Sequence, residues 1–441
     1  MDDTQQSDRP TQFRWTVFAL ACGTSWMLYL HRYMFALIKP ELKQQWELGS
    51  DELGYLDSAF SLCYLVFQVP LGALADVAGA HLILTLLILL WSVGLGLHAW
   101  APSVKALGLA RAVLGAGQSA VFACLSRISR TWIPADVRTS VQGMVGVFFG
   151  RLGGLTAYLL IGSIVLGVLE VPWRTAVWWL AGFGVAFAFL FAAVFRNSPR
   201  QHPAVNEREC QLIEAGDDNG NSQLPSRLSF REMFRRMSPR SILNLGCLNL
   251  QTILSTLADN IYSAWIPLFL FEVHDLEFRR MGMYSALPLL GGAIGGAAGG
   301  FLNDFLIRRT GNLKWSRRAV GLAGKGIAGC LLAVSMLWYD DPQTFCLMLF
   351  AVKFFSDWSL TTTWGAVTDI GGRTTATVFA FNNTVATLGA VAAPALYGNV
   401  AEHRGWDAVF YVGAAAYIVC AVSWLGFDST IPVISEEQPS E

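Results

Sequence analysis

The sequence predicts an all-α membrane protein of twelve spanning helices in two six-helix, pseudo-symmetric halves. Three observations predict it. Of the 441 residues 54% are hydrophobic and only 14% charged, whereas a soluble domain carries about 25% charged residues; so few ions could not cover a soluble surface of this size. Twelve apolar runs follow one another, each close to the roughly 20 residues that a spanning helix needs, and one long polar interval divides them six and six. Landmarks of the first half return in the second at nearly equal offsets. Gly72-Ala73-Leu74-Ala75-Asp76 recurs as Gly300-Phe301-Leu302-Asn303-Asp304, and Trp173-Arg174-Thr175-Ala176-Val177-Trp178 as Trp406-Asp407-Ala408-Val409-Phe410.

A spanning segment must satisfy its own backbone hydrogen bonds, so each run is read as a helix. The predicted spans are Trp15–Leu37, Leu53–Leu74, Leu82–Trp100, Val104–Leu125, Thr139–Val168 and Thr175–Phe195, then Ile242–Phe271, Gly282–Leu306, Ala319–Trp338, Gln343–Val367, Thr374–Val400 and Ala408–Phe427. The chain thus divides into a tail (1–14), a first bundle (15–195), a linker (196–241), a second bundle (242–427) and a second tail (428–441). The linker carries an acidic, Asn/Gly-rich patch from Asp217 to Asn221 and is expected to be partly disordered. The tails and the segments between spans hold nineteen Lys and Arg on one side and seven on the other. The excess belongs inside, which places both tails and the linker in the cytoplasm.

Other classes find little support. The formal charge of −1 argues against nucleic acid as a partner. The eight cysteines include no C-x-x-C pair and lie mostly in apolar runs, as small core residues do. No signal peptide is visible. The six histidines show no ligand spacing, no nucleophile stands beside a plausible base, and no cofactor or metal site is predicted. The run from Gly291 to Gly300 is not preceded by a strand, so it is read as helix packing through a small-residue face at Gly292, Gly296 and Gly300.

Charges inside spans are costly and face a cavity or a partner. The cations are Arg32, Arg111, Arg151, Lys325 and Lys353, with His31 beside them; the carboxylates are Asp57, Asp259 and Asp357. The excess of positive charge invites an anion, which a guanidinium can hold through two hydrogen bonds. Helical spacing groups Tyr29 with Arg32, Asp57 with Tyr64 and Gln68, and Arg111 with Gln118. In the tenth span Lys353, Asp357, Thr361 and Trp364 form one polar stripe. There Lys353–Asp357 reads better as an ion pair than as a substrate contact, and Thr361 and Trp364 either line a cavity or pack on a neighbour.

From about Arg14 to Phe427 the chain resembles the anion:cation symporter branch of the major facilitator superfamily, which includes bacterial hexuronate, galactonate and glucarate transporters. The marks are Ser58-Ala59-Phe60, Tyr64, Gln68-Val69-Pro70 with Gly72 and Asp76, Ala110-Arg111 with Leu114-Gly115, Trp132-Ile133-Pro134 with Arg138, and Trp173-Arg174. The linker adds His202-Pro203-Ala204-Val205-Asn206 with Glu209 and Ile213. Then come Trp265-Ile266-Pro267, Asp304 with Arg308, Arg309, Arg317 and Arg318, Trp364 with Asp369, and Asn383.

The resemblance implies a major facilitator fold that moves small organic anions, usually sugar acids, by alternating access with cotransported protons. It also implies a monomer in the inner or plasma membrane, whose partners are the anion, protons and lipid. Arg32 matches the residue that holds the substrate carboxylate. Tyr29, Tyr64, Trp364 and Asn383 match the lining of the sugar-acid site, with Thr361 near a serine position and Asn382 as a fallback. Asp76, Asp304 and Arg138 match the gating loops.

Two departures bear on coupling: His31 and Gln118 stand where the family commonly has proton-carrying acids. Glutamine cannot titrate; histidine can. Three schemes stay open: His31 carries the proton, one of Asp57, Asp259 or Asp357 has taken over, or the protein is an uncoupled facilitator or exchanger. A membrane sensor that kept the fold and lost transport is the reading from another class.

Overall fold

A computed structural model of the chain describes residues 9–214 and 235–434. The acidic patch Asp217–Asn221 lies outside the described residues. Every regular element within them is helical. Eleven segments are long and apolar enough to cross a membrane: α2 (Ser50–Ala78), α3 (Ala80–Trp100), α4 (Val104–Trp132), α5 (Val141–Val168), α6 (Trp173–Val194), α7 (Pro239–His274), α8 (Phe278–Thr310), α9 (Leu313–Trp338), α10 (Pro342–Gly371), α11 (Thr377–Arg404) and α12 (Trp406–Gly426). The twelfth is the helix that precedes them, α1 (Phe13–Trp46), whose apolar character is diluted by His31, Arg32, Lys39 and Lys43.

The helices outrun the apolar runs that announced them. α1 continues nine residues past Leu37, so Lys39, expected in a loop, is a helical residue with no exposed surface. Asp76, beyond the predicted end of its span at Leu74, likewise sits inside the last turn of α2. Helix starts follow capping chemistry. Ser238 with Pro239 opens α7 and Asp341 with Pro342 opens α10, each side chain accepting a backbone N–H. Trp173 and Trp406, the second repeated landmark, are the first residues of α6 and α12.

By packing, the chain forms two compact units, and the division does not follow the linker alone. The first unit takes the chain as far as Phe35 and resumes at Ala59; the second takes Ala36–Ser58 and the chain beyond the linker. α1 and α2 therefore each change unit along their length. On α1 the change comes at Ala36, whose carbonyl loses its i+4 donor because Pro40 has no N–H.

Glycines set the close approaches within each unit, as expected where apolar side chains gain little from leaving lipid. In the first unit Gly94 of α3 faces the Leu114 backbone and Gly117 of α4 faces the Trp91 backbone. In the second unit Gly291, Gly295 and Gly299 of α8 lie against the backbone of Phe350, Phe354 and Trp358 in α10, while nothing lies within 4 Å of the position a Gly296 side chain would occupy. The packing stripe is thus one residue out of register with the Gly292, Gly296, Gly300 face expected. The run offers a small residue every fourth position in both registers, so spacing alone could not choose.

The described part of the linker has a structural task in the first unit. Glu209, on the short helix Glu207–Glu214, is completely buried. It accepts the backbone N–H of Phe13 and of Arg14, each at 3.0 Å, together with the Arg14 guanidinium at 3.0 Å and the Thr11 hydroxyl. A carboxylate thus caps the N-terminus of α1, where free N–H groups and the helix dipole favour negative charge. His202 stacks on Phe13 with ring centroids 3.9 Å apart, and Asn206 donates to the Arg9 carbonyl at 2.7 Å.

Candidate functional site

Arg32 projects from α1 among the rings of Tyr29, Phe60 and Tyr64, with centroids 5.1, 5.1 and 5.3 Å from the guanidinium carbon. Its Nε donates to Gln118 Oε1 at 3.0 Å. Gln118 is itself buried and anchored, donating from Nε2 to the Leu28 carbonyl at 3.1 Å. Among the described residues no carboxylate lies within ion-pair distance of Arg32, and its buried Nη2 has no hydrogen-bond partner. A guanidinium held by a neutral amide and three aromatic faces keeps its full charge, and one of its nitrogens is left to a ligand.

Arg111 of α4 is 2% exposed and lies 4.7 Å from the Phe60 centroid and 4.1 Å from that of Phe35. Phe60 is therefore shared by two guanidiniums. His31, one residue before Arg32 and so about 100° around the helix, is wholly buried, its ring against Ser92 and Gly184. It belongs to the packed interior of α1, α3 and α6 rather than to the face that carries Arg32.

The second unit collects the remaining charges. Lys39 pairs with Asp57 at 2.5 Å, donates to the Ala264 carbonyl at 2.8 Å and lies 3.8 Å from the Trp265 centroid. Lys353 bridges Asp259 and Asp357, with its Nζ at 2.7 and 2.8 Å from their Oδ1 atoms. Lys325 donates to Ser255 and Ser356 at 2.7 and 2.8 Å. Of the lining residues implied by the resemblance, Trp364 is 37% exposed and meets Phe379 edge to face, and Thr361 donates to the Trp358 carbonyl of its own helix. Asn383 is exposed; its neighbour Asn382 is buried and donates to Asn249 and Thr252 at 3.0 Å.

The Major Facilitator Superfamily profile matches residues 21–336. The chain belongs to the Major Facilitator Superfamily. Curated relatives of similar length include a probable sulfoacetate transporter of Cupriavidus necator, 28% identical over 97% of this chain and 96% of the relative. A probable galactarate/D-glucarate transporter of Escherichia coli is 24% identical over 93% and 92%, and the hexuronate transporter of that organism 25% identical over 90% of each. Among solved structures, a bacterial homologue of the human lysosomal transporter Spinster superposes with a TM-score of 0.73 at 16% identity, covering 94% of this chain and 96% of that one. The nucleoside transporter NupG gives 0.68 at 12% identity, over 93% and 99%. These two show the fold. The molecule is thus a multi-pass membrane transporter of this superfamily.

Of the residues expected in gating loops, Asp76 lies in the last turn of α2, Asp304 further inside α8, and Arg138 within the short helix Ala135–Gly143. Arg127 donates to the Asp76 carbonyl at 2.8 Å and lies 3.4 Å from its carboxylate; Arg138 donates to the Ile133 and Arg130 carbonyls at 3.2 and 3.1 Å. Asp304 is exposed, whereas Arg317 forms a 2.9 Å ion pair with Asp369. The structure brings Arg32, Tyr29, Tyr64, Gln118 and Arg111 together in the first unit, and Asp259 with Asp357 in the second. Asp57 and Tyr64 lie on one unbroken helix, α2, with Asp57 in the stretch that packs in the second unit and Tyr64 in the stretch that packs in the first. Sequence reasoning missed Phe60 as a contact of both arginines, although it stands one turn before Tyr64. It also missed Lys39 as a partner of Asp57. For Ser255 and Tyr417 no signal in the sequence singled them out.

Proposed function

We propose that this major facilitator carries small organic anions across the membrane by alternating access, with Arg32 holding the anionic end. One observation carries the reading: Arg32 is charged, ringed by aromatics, and without an acid to neutralise it among the described residues. A carboxylate or a sulfonate accepts two parallel N–H bonds from a guanidinium, so sugar acids and sulfoacetate, the substrates named for the relatives, share the chemistry required. The faces of Tyr29 and Tyr64 suit the apolar side of a sugar acid. Trp364, Thr361 and Asn383 are the groups proposed to contact the remainder of the substrate. Both termini are proposed to lie in the cytoplasm, following the Lys and Arg excess.

The test is uptake by purified protein in liposomes, using a labelled panel of sulfoacetate, galactarate, D-galactonate and a hexuronate, with and without a pH gradient. At least one panel anion is transported by the parent protein, and Arg32→Ala abolishes that transport. Failure of the parent to move any carboxylate or sulfonate, or an Arg32→Ala variant as active as the parent, overturns the reading.

A further inference from the structure

We propose that the second unit contains a proton-binding site, with Asp259 as the carboxylate that is protonated and released during transport and Lys325, Lys353 and Asp357 as its fixed charge frame. The proposal rests on the anion-transport reading and adds the coupled ion to it. In the first unit the two positions where the family commonly has an acid do not serve: Gln118 does not titrate, and His31 is sealed against Ser92 and Gly184.

Every element packed around Asp259 contributes a charged or polar group. α7 supplies Ser255 and, one turn on, Tyr262. α9 supplies Lys325, α10 supplies Lys353, Ser356 and Asp357, α11 supplies Tyr397 and α12 supplies Tyr417. The Asp259 Oδ1 atom alone receives Lys353 at 2.7 Å, the Tyr417 hydroxyl at 2.6 Å and Ser356 at 3.4 Å. Four ionisable side chains from three helices far exceed what a structural tie needs. The i,i+4 pair Lys353–Asp357 on α10 already satisfies itself, and each further buried ion adds a desolvation cost.

Exposure ranks the two acids. The Asp259 side chain is 31% exposed, that of Asp357 1% and that of Lys353 4%. Asp259 is therefore the acid that a proton can reach. The backbone is irregular at both carboxylates: α7 passes into a π-helical stretch, Ile261–Trp265, two residues after Asp259, and the regular helix of α10 breaks at Asp357, between Ser356 and Trp358. Such π segments and interrupted spanning helices concentrate at functional sites.

The charge change is simple. With both acids ionised, two lysines balance two carboxylates. A proton taken from water by an Asp259 oxygen leaves Lys353 paired with Asp357 and raises the cluster by one positive charge. An anion binds more tightly to a more positive protein, and by linkage its binding raises the proton affinity of Asp259 to the same degree. A monoanion and one proton then cross together without net charge.

Two measurements decide it. In liposomes, with the panel anion that exchanges fastest, starting from sulfoacetate, Asp259→Asn loses accumulation driven by an inward pH gradient and keeps anion exchange across equal pH, whereas Arg32→Ala loses both. Asp259→Asn/Lys325→Met, which removes one charge of each sign, shows the same split if the single variant folds poorly. Gradient-driven accumulation by either variant overturns the proposal, as does a parent that exchanges anion and ignores the gradient. Infrared difference spectra on acidification of the purified protein supply the second measurement, without any substrate. A component of the protonated-carboxyl band seen in the parent is missing from Asp259→Asn; identical bands in parent and variant overturn the proposal. A parent that exchanges none of the anions defeats the transport reading alone, and the infrared comparison still decides the proton site.

Discussion

At Arg32 the chemistry turns on which acceptor faces a guanidinium. Gln118 Oε1 takes the Nε–H at 3.0 Å and brings no charge, so an arriving anion does not compete with a resident one. Gln118→Glu puts a carboxylate in that place, and the adjacent cation keeps it ionised at neutral pH. A hydrogen bond to a charged group is worth about 1.5–3 kcal/mol, so competition of that size raises KM for the transported anion roughly 10- to 100-fold. Uptake kinetics at pH 7 check this; an unchanged KM would show that Arg32 does not hold the anion. Arg32→Lys keeps the charge and loses the planar fork, so it falls between the parent and Arg32→Ala in the same assay. Arg32, Tyr29 and Tyr64 were legible in the sequence because a charged group in a span and its helical neighbours can be read from spacing. The sequestration of His31 was not, since which face of α1 meets α3 and α6 depends on Ser92 and Gly184 from elsewhere in the chain.

Elements show the same division between local and distant information. The N-terminus of α1 is capped by a residue almost 200 positions away, which no local pattern reveals; the His202-to-Glu209 pattern marked the segment without giving its task. Burial alone would push the Glu209 carboxyl up. The N–H groups of Arg14 and Phe13, the Thr11 hydroxyl and the Arg14 guanidinium outweigh it and hold the group below its ordinary value. A depressed folded value means that the stabilisation is present above the unfolded carboxylate range, around 4.3, and is lost as pH falls through the folded value. Glu209→Gln is therefore expected to be less stable by about 1–2 kcal/mol at pH 7, the size of a helix cap. Melting curves in detergent should bring variant and parent together as the pH is lowered; a gap that is the same at all pH values would mean that the carboxylate charge contributes nothing.

On α8 the glycine register makes a paired prediction. Gly295→Ala drives a methyl group into the Phe354 carbonyl, and over-packing of this kind costs about 1–3 kcal/mol; Gly296→Ala meets nothing within 4 Å and leaves the melting temperature unchanged. Equal melting of the two variants would reject the observed register.

For the whole molecule, twelve helices in two related halves could be read from charge scarcity and repeated landmarks, because lipid imposes length and hydropathy on each span separately. The assignment of Ala36–Ser58 to the second unit could not be read in that way. It depends on groups that α1 and α2 meet only after folding: Lys39 with Asp57 and the Ala264 carbonyl, and the Ser58 hydroxyl with the Val391 carbonyl at 2.9 Å. The placement of the chain in the bilayer is a property of the molecule as a whole, set by Lys and Arg summed over all loops. Moving Lys39 from a loop into the buried interior of α1 lowers the outer count from seven to six, which strengthens the asymmetry. Reporter fusions at the two ends in intact cells are accordingly expected to show both ends in the cytoplasm, and a cysteine placed at Lys105, in the first turn of α4, to be labelled from outside by an impermeant thiol reagent. Labelling of that cysteine only after the membrane is permeabilised would invert the orientation.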